Sequence, residues 1–523
     1  MSDSKLPYLA LLLILSAGIF LRFYMLEDVY TEYDDVGVVS LHHTYIGQDD
    51  KNVLDYKNGL IKISVDGQAL KEKLIDSILY PVYMGFVWTY PPGQYIFTPL
   101  LISEKDTYSS KIFKSRLLSA ISSSLSLIIF AILIYLIDDT KIQLGGLTAI
   151  SLMAFSNNLI LYSHHASPYS TVVLGMVVSL LLYLMYFKEK INLSNLFFFH
   201  GIIFLFNYLV ILMLPIYAFH FLAENRNYKN LQKAKELIKA ISYSTAIILP
   251  IWLIFFKSDS GMRGLDLESF PNLLDFFKHL LLSLNSSING LIINENLSSI
   301  LTLFVILLSF RTYFAEISIL EKRYLSSFLI LFLGWFFLYY FGRLPIDSTR
   351  HMLFFAPVLS IVFYIVLKNF KSNNKFLILT LIVFSTISFF ENTNILNSKK
   401  SVFDFKKIDE SNIEFVYTYS STLAPLIAFE NKKVFNLDVN SFKDVAKILP
   451  NRAFLLSQNE NLNQYLGGFP DITDYRRKFL SNYSIKTIEE INTGIFFPFN
   501  NNSASSNQNG FYLYELNRKN EEL

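Results

Sequence analysis

The sequence predicts an α-helical protein that crosses a membrane many times and ends in a small α/β domain. Three observations predict it. Of 523 residues, 52% are hydrophobic and only 17% are charged, where a soluble chain carries about a quarter charged. The apolar residues fall in long runs, each near the roughly 20 residues that a helix needs to cross the hydrocarbon layer. From about residue 393 the composition turns ordinary and polar. Nothing in the net charge of +2 points to nucleic acid. There are no cysteines, which excludes disulfides, cysteine-type zinc sites and thiol catalysis.

The runs that qualify as spans are 6–26, 115–137, 143–162, 168–187, 193–207, 208–223, 240–256, 297–319, 324–342, 352–368 and 376–392, about eleven in all. The first lacks a small-residue cleavage site and is read as a retained helix rather than a removed signal peptide. Lys and Arg counting orients the set. With Lys5 inside, the inner loops hold Lys141; Lys188 and Lys190; Arg226, Lys229, Lys233, Lys235 and Lys239; Lys322 and Arg323; and Lys368, Lys371 and Lys375. The N-terminus is then cytoplasmic and the tail extracytoplasmic. The outer loop 343–351 breaks the charge rule, with Arg343 and Arg350.

The expected organisation is a transmembrane domain over 1–392 and a soluble domain over 393–523. The first outer loop, 27–114, holds an amphipathic segment at 66–79, with Leu70, Leu74, Ile75, Ile78 and Leu79 on one face. Such a helix lies in the interface plane. In the tail, strands are expected at 413–419, 433–437, 453–457, 494–498 and 511–516. Helical patterns at 421–430, 441–449 and 459–466 alternate with them. Residues 500–509 form a low-complexity loop.

Four stretches at the outer face could carry chemistry. Glu27, Asp28, Glu32, Asp34 and Asp35 follow the first span directly. A carboxylate at this boundary stays ionised and can act as a general base toward a hydroxyl; the plainer reading is a solvated acidic loop. Tyr90, Pro91 and Pro92 fix the backbone before the second span. Between the third and fourth spans lie Tyr162, Ser163, His164, His165 and Tyr169. The paired histidines invite a metal reading with Asp34 or Asp35. Adjacent residues diverge on a helix, so hydrogen bonding or headgroup contact is the competing one. His42 and His43 raise the same question. Arg350 and His351 precede the tenth span, and Arg116 opens the second. An arginine fork suits phosphate, and it also anchors helices at an interface. There is no P-loop and no dinucleotide fingerprint, nor an inner loop large enough for a nucleotide-sugar domain.

Taken in order, these pieces resemble the GT-C superfamily of polytopic glycosyltransferases. They are most similar to the branch holding protein O-mannosyltransferases and lipid A aminoarabinose transferases. The resemblance covers about residues 6–390. It rests on a first helix ending Arg22, Phe23, Tyr24 and the later pair Asp34 and Asp35. It rests also on Tyr90, Pro91 and Pro92, on Ser115, Arg116 and Leu117, on the Tyr162 to Tyr169 loop, and on Arg350 with His351. Asp35 stands where that family has Glu, and Tyr90 where it has His. His164, His165, Ala166 and Ser167 replace an acid and an arginine.

The resemblance implies a multi-pass enzyme of the cytoplasmic membrane. It would move a sugar, with inversion, from a polyprenyl-phosphate donor to a glycan, lipid or protein acceptor on the outer face. Asp34 would be the base, supported by Asp35 or Glu32. Arg350, His351 and Arg116 would hold the donor phosphate. Tyr90, Pro91, Pro92, His164, His165 and Tyr169 would line the pocket. A divalent metal is compatible with this set, and no other cofactor is implied. The alternatives are a transporter or flippase, a polysaccharide polymerase or ligase using lipid-linked glycans, and a membrane scaffold that presents the tail. A transporter should carry ionisable groups near mid-membrane.

Overall fold

A computed structural model describes residues 5–28, 97–102, 106–138, 141–206, 208–225, 231–255, 284, 295–314, 317–340, 352–368, 375–398, 408, 410–418, 432–437, 449–457, 477–492 and 510–519. The helices are α1 (Leu6–Phe23), α2 (Tyr108–Ile137), α3 (Leu144–Phe155), α4 (Asn157–Ser163), α5 (Tyr169–Phe187) and α6 (Leu193–Phe204). They continue with α7 (Met213–Glu224), α8 (Leu231–Phe255), α9 (Glu295–Tyr313), α10 (Ile319–Tyr340), α11 (Phe355–Lys368) and α12 (Lys375–Ser398). Short 3-10 turns cover Thr98–Leu101 and Tyr208–Leu212. The chain divides into two compact units. Among the described residues, one holds 5–24 and 118–395, the other 25–28, 97–117 and those beyond 395.

Among the described residues, α1, α2, α5 and α12 are each long and apolar enough to cross a membrane. The pair α3 and α4, bent by 46°, passes the same test when taken together, as a broken span or a re-entrant loop. Eleven are expected over the whole chain, and those expected at 240–256, 297–319 and 324–342 run into residues outside the described set. The apolar stretch from residue 193 is cut by the 3-10 turn into α6 and α7, of 12 residues each. In α8 and α10 charged residues occupy the first turns: Lys233, Lys235, Glu236 and Lys239 in one, Glu321, Lys322 and Arg323 in the other. The apolar stretches follow these turns, from Ala240 in α8 and from Tyr324 in α10.

The caps are legible chemistry. Ser318 and Glu321 form a capping box on α10. Glu321 accepts from the Ser318 backbone N–H at 2.9 Å, and Ser318 Oγ accepts from the Glu321 N–H at 3.2 Å. Asn192 caps α6 through the Asn195 N–H at 2.8 Å. Helix α5 ends in a Schellman turn, with Lys190 N–H on Met185 O and Glu189 N–H on Tyr186 O. Glu189 takes the left-handed position, φ 56°, where glycine is the unstrained choice.

Close helix contacts use small residues. A methyl group at Gly18 would lie 2.8 Å from Leu127 and 3.0 Å from Ala154, and one at Gly145 would meet the Tyr364 carbonyl at 3.2 Å. Without a hydrophobic drive inside lipid, such close approach supplies much of the packing energy. At one end of this unit Lys368 lies 3.4 Å from Asp138 and 3.2 Å from Glu321, and Tyr364 OH donates to Asp138 at 3.2 Å. The ends of α2 and α11 and the start of α10 are thereby tied together.

The second unit contains a five-stranded mixed sheet: β1 (Phe415–Thr418), β2 (Lys433–Asn436), β3 (Arg452–Ser457), β4 (Tyr483–Asn492) and β5 (Gly510–Arg518), in order β2-β1-β3-β5-β4. The first three pair in parallel, and β5 is antiparallel to β3 and β4. Alternation along β3 sends Ala453 and Leu455 to one face, and Phe454 and Leu456 to the other. Burial pushes the Tyr483 phenol up to about 12, against a smaller lowering by Arg518. Tyr417 is raised too, by burial and then by Tyr483.

Strand β4 is a correction, because 483–492 was not expected to be a strand. It carries Lys486, Glu489 and Glu490, is mostly exposed over 484–488, and breaks register between Thr487 and Glu489. A charged edge strand with a bulge lacks the clean alternation that marks a strand in sequence. The strand expected at 494–498 and the helices expected at 421–430 and 459–466 lie outside the described residues, as does 441–448.

Candidate functional site

The organising side chain at the end of α1 is Arg22, which is fully buried. Its Nη1 donates to Gly18 O at 2.6 Å and Ala154 O at 3.0 Å, its Nη2 to Met153 O at 2.9 Å, and its Nε to Ser123 Oγ at 2.7 Å. The two distant carbonyls belong to the last turn of α3, where the chain bends into α4. A broken helix inside a membrane frees carbonyls that something must satisfy. The guanidinium fork does so from a third helix, and Ser156 caps the restart of α4 through the Leu159 N–H at 3.4 Å. Every donor on Arg22 that these bonds use is spent on the protein itself. This is a structural cation.

Beyond Arg22 the chain leaves α1 through a strained turn. Met25 has φ 58°, uncommon for a residue with a side chain. His164 fixes the preceding residue, its Nε2 lying 2.9 Å from Tyr24 O. The other ring nitrogen, Nδ1, lies 2.8 Å from Ile160 O and 3.2 Å from Ser163 Oγ. Two residues further on, Arg116 Nη1 donates to Leu26 O at 2.8 Å, and Arg116 is fully buried. Thus Tyr24 and Leu26, immediately before the acidic segment, are each held by a residue singled out in the sequence.

The 162–171 turn is rigid for the same reason. Ser170 Oγ donates to Tyr162 O at 3.0 Å, Ser119 Oγ to Ser167 O at 3.2 Å, and Thr171 Oγ to Pro168 O at 2.7 Å. Tyr162 packs edge-on against Tyr169 at 5.2 Å and against His165 at 5.4 Å. The two histidines are both buried and are used differently, His164 on backbone carbonyls and His165 against a ring. Among the described residues no group of three or more His, Asp or Glu side chains could hold a metal ion.

Of the other candidates, Glu32, Asp34, Asp35, Tyr90, Pro91, Pro92, Arg350 and His351 lie outside the described residues, as do His42 and His43. Glu27 and Asp28 are described, exposed and half-buried respectively.

Sequence reasoning missed a second polar cluster, inside the helices. Ser179 Oγ contacts His200 Nε2, and lies 2.8 Å from Tyr217 OH. Tyr183 stacks on Tyr217 at 4.5 Å, and its hydroxyl is 2.8 Å from His220 Nδ1. His220 Nε2 is 2.8 Å from Ser326 Oγ, and Tyr324 OH donates to Leu180 O at 3.1 Å. Arg323 pairs with Glu224 at 3.0 Å and lies over the Phe187 ring. A signal was available. Ser179, Tyr183 and Tyr186 recur at helical spacing on α5, and Tyr217, His220 and Glu224 do so on α7. Two polar stripes on neighbouring apolar helices are expected to face each other, since neither can face lipid. No family model matches the chain, and no curated protein matches it.

Proposed function

We propose that the chain is a membrane glycosyltransferase that moves a sugar, with inversion, from a polyprenyl-phosphate donor to an acceptor at the outer face of the cytoplasmic membrane. The observation that carries the reading is the anchoring at the end of α1. Tyr24 and Leu26 are tied down by His164 and Arg116, and Met25 between them is strained. Strain retained by surrounding bonds is found where the chain must present something. The groups presented in this reading are Glu32, Asp34 and Asp35, a few residues further along the chain.

Asp34 takes the proton of the acceptor hydroxyl, with Asp35 or Glu32 supporting it. Arg350 and His351 receive the charge that builds on the departing lipid phosphate. Phosphate is a good leaving group, so orientation and charge stabilisation are most of what the protein must supply. Arg116 holds the carbonyl of Leu26, two residues past Tyr24. The reading also carries about eleven spans, a cytoplasmic N-terminus and an extracytoplasmic sheet domain.

A second reading, transport or flipping, draws on the His200, Ser179 and Tyr217 cluster, because polar groups within membrane helices often line a substrate path. One comparison separates the two. Detergent-solubilised protein has no compartments, so a transferase still forms product there and a transporter shows nothing. Product in detergent, lost in Arg350→Ala through weaker use of the lipid donor, supports the transferase. Activity seen only in sealed vesicles contradicts it.

A further inference from the structure

His164 is fully buried at the end of α4, and both of its ring nitrogens face backbone carbonyls. Nε2 lies 2.9 Å from Tyr24 O, and Nδ1 lies 2.8 Å from Ile160 O. A carbonyl oxygen only accepts hydrogen bonds, and a neutral imidazole carries a single N–H. One hydrogen cannot serve both contacts. In either neutral tautomer a ring lone pair would point at a carbonyl oxygen, and a buried pair of acceptors with no hydrogen between them is costly.

Ser163 is the competing donor. Its hydroxyl lies 3.2 Å from Nδ1, and a hydrogen placed there would let the ring stay neutral. The same hydroxyl lies 2.6 Å from Ile160 O, and it carries one hydrogen. The shorter contact takes it. Otherwise Ile160 O would face two acceptors, Oγ and Nδ1, at close range. Nδ1 therefore brings its own hydrogen to Ile160 O, as Nε2 does to Tyr24 O. The charged groups nearby do not reverse this. Arg22 of α1 is the opposing like charge. It acts from beyond Ser123, which accepts from Arg22 Nε at 2.7 Å and donates to Leu159 O at 3.5 Å. The two carbonyls touch the ring itself. The other ionisable groups of the turn are Tyr162, His165 and Tyr169, and α1 adds Tyr24. From α2, Ser119 and Ser123 bond to the turn and to α4. Beyond Tyr24, Arg116 donates to Leu26 O, and Glu27 and Asp28 follow in the chain.

We infer that His164 is an imidazolium cation in the folded chain, and that it works as a proton-operated clamp between the exit of α1 and the last turn of α4. The inference does not rest on the sugar-transfer reading. Charged, the ring makes both bonds; neutral, it keeps only one. Ile160 sits four residues before His164 in the same helical turn, so that contact is fixed by the helix. Tyr24 is 140 residues away and is free to part from the ring. It directly precedes Met25, whose φ of 58° is strained, so losing the bond also lets that turn relax. The sign follows from linkage. A group that holds its proton more tightly when folded gives stability that is intact in acid and lost as pH rises. The clamp is therefore closed at low pH and opens in alkali.

Solid-state NMR of the full chain in nanodiscs, with nitrogen-15 histidine, reads the ring directly. His164→Gln, or His164→Asn if the first does not fold, identifies its signals among the eight histidines. At about pH 8 both His164 nitrogens should carry a proton in most molecules, where an unperturbed histidine is charged in only about 3%. A bare nitrogen on His164 at that pH overturns the proposal. Ser163→Ala removes the competing donor and should leave the ring charged; a neutral ring in that variant also overturns it. The clamp has its own readout. The chain has no cysteine, so Phe23→Cys gives a single spin-label site on an exposed residue at the end of α1. Label mobility should rise over the pH range in which the His164 signals show the proton leaving. A label that stays equally immobile after the ring is neutral contradicts the clamp.

Discussion

Arg22 Nη2 lies 2.9 Å from the carbonyl oxygen of Met153, across 131 residues of sequence. With Ala154 O at 3.0 Å, this makes one side chain of α1 the cap for the broken end of α3. Arg22→Met should strand both carbonyls at the bend and cost about 3 kcal/mol or more. Arg22→Lys keeps the charge and loses the fork, so it should recover only part of this. Thermal unfolding in detergent reads both, and an unchanged midpoint in Arg22→Met would remove Arg22 from its structural role.

Much of this was legible in sequence, and the limits are physical. The apolar runs mark where helices form, because burial in lipid demands them. Their division into elements is harder to read, since a 3-10 turn interrupts residues 193–224 and charged residues open α8 and α10. Arg22 could be read as a helix-ending arginine, yet its partners on α3 and α2 are tertiary and leave no local pattern. His164 was visible as one of a pair, and its use as a backbone anchor depends on where Tyr24 falls. The sheet was legible in its buried strands and invisible at β4, where charge on an edge hides the period. The acidic segment and Arg350 are legible only as residue types in order.

Glu189 offers a stabilising change. It occupies the left-handed position of the Schellman turn that ends α5. Glu189→Gly should remove a backbone penalty of about 1 kcal/mol and raise the unfolding midpoint. A drop would show that the Glu189 side chain contributes more than the strain costs.

Lys368 holds two acids, Asp138 and Glu321. Lys368→Met should cost about 2 kcal/mol, below the figure for a fully buried pair because Lys368 is a third exposed. Adding Asp138→Asn should restore part of the loss, since one of the two like charges is then gone. A double-mutant cycle with no coupling would contradict the tie between α2, α10 and α11.

The sheet should weaken in alkali. Burial holds the Tyr483 phenol near 12 from an ordinary value of 10.0, so the folded state prefers the neutral form. That stability is intact below pH 10 and is lost as pH rises through about 12. Among the described residues the Tyr483 hydroxyl has no hydrogen-bond partner. Tyr483→Phe should therefore be neutral or stabilising at pH 7, and should flatten the loss above pH 10 in a denaturant series on the full chain. An equally steep loss in the variant would assign it elsewhere.

The most direct test of the central claim is sugar transfer by Asp34→Asn. Purified wild-type and variant protein are reconstituted in nanodiscs with a cell lipid extract carrying radiolabelled polyprenyl-phosphate sugars, and product is counted. Removal of the base should cut the rate by about a hundredfold or more, with the unfolding midpoint unchanged. Wild-type transfer rates from Asp34→Asn would contradict the assignment of the acidic segment beyond α1 as the catalytic edge.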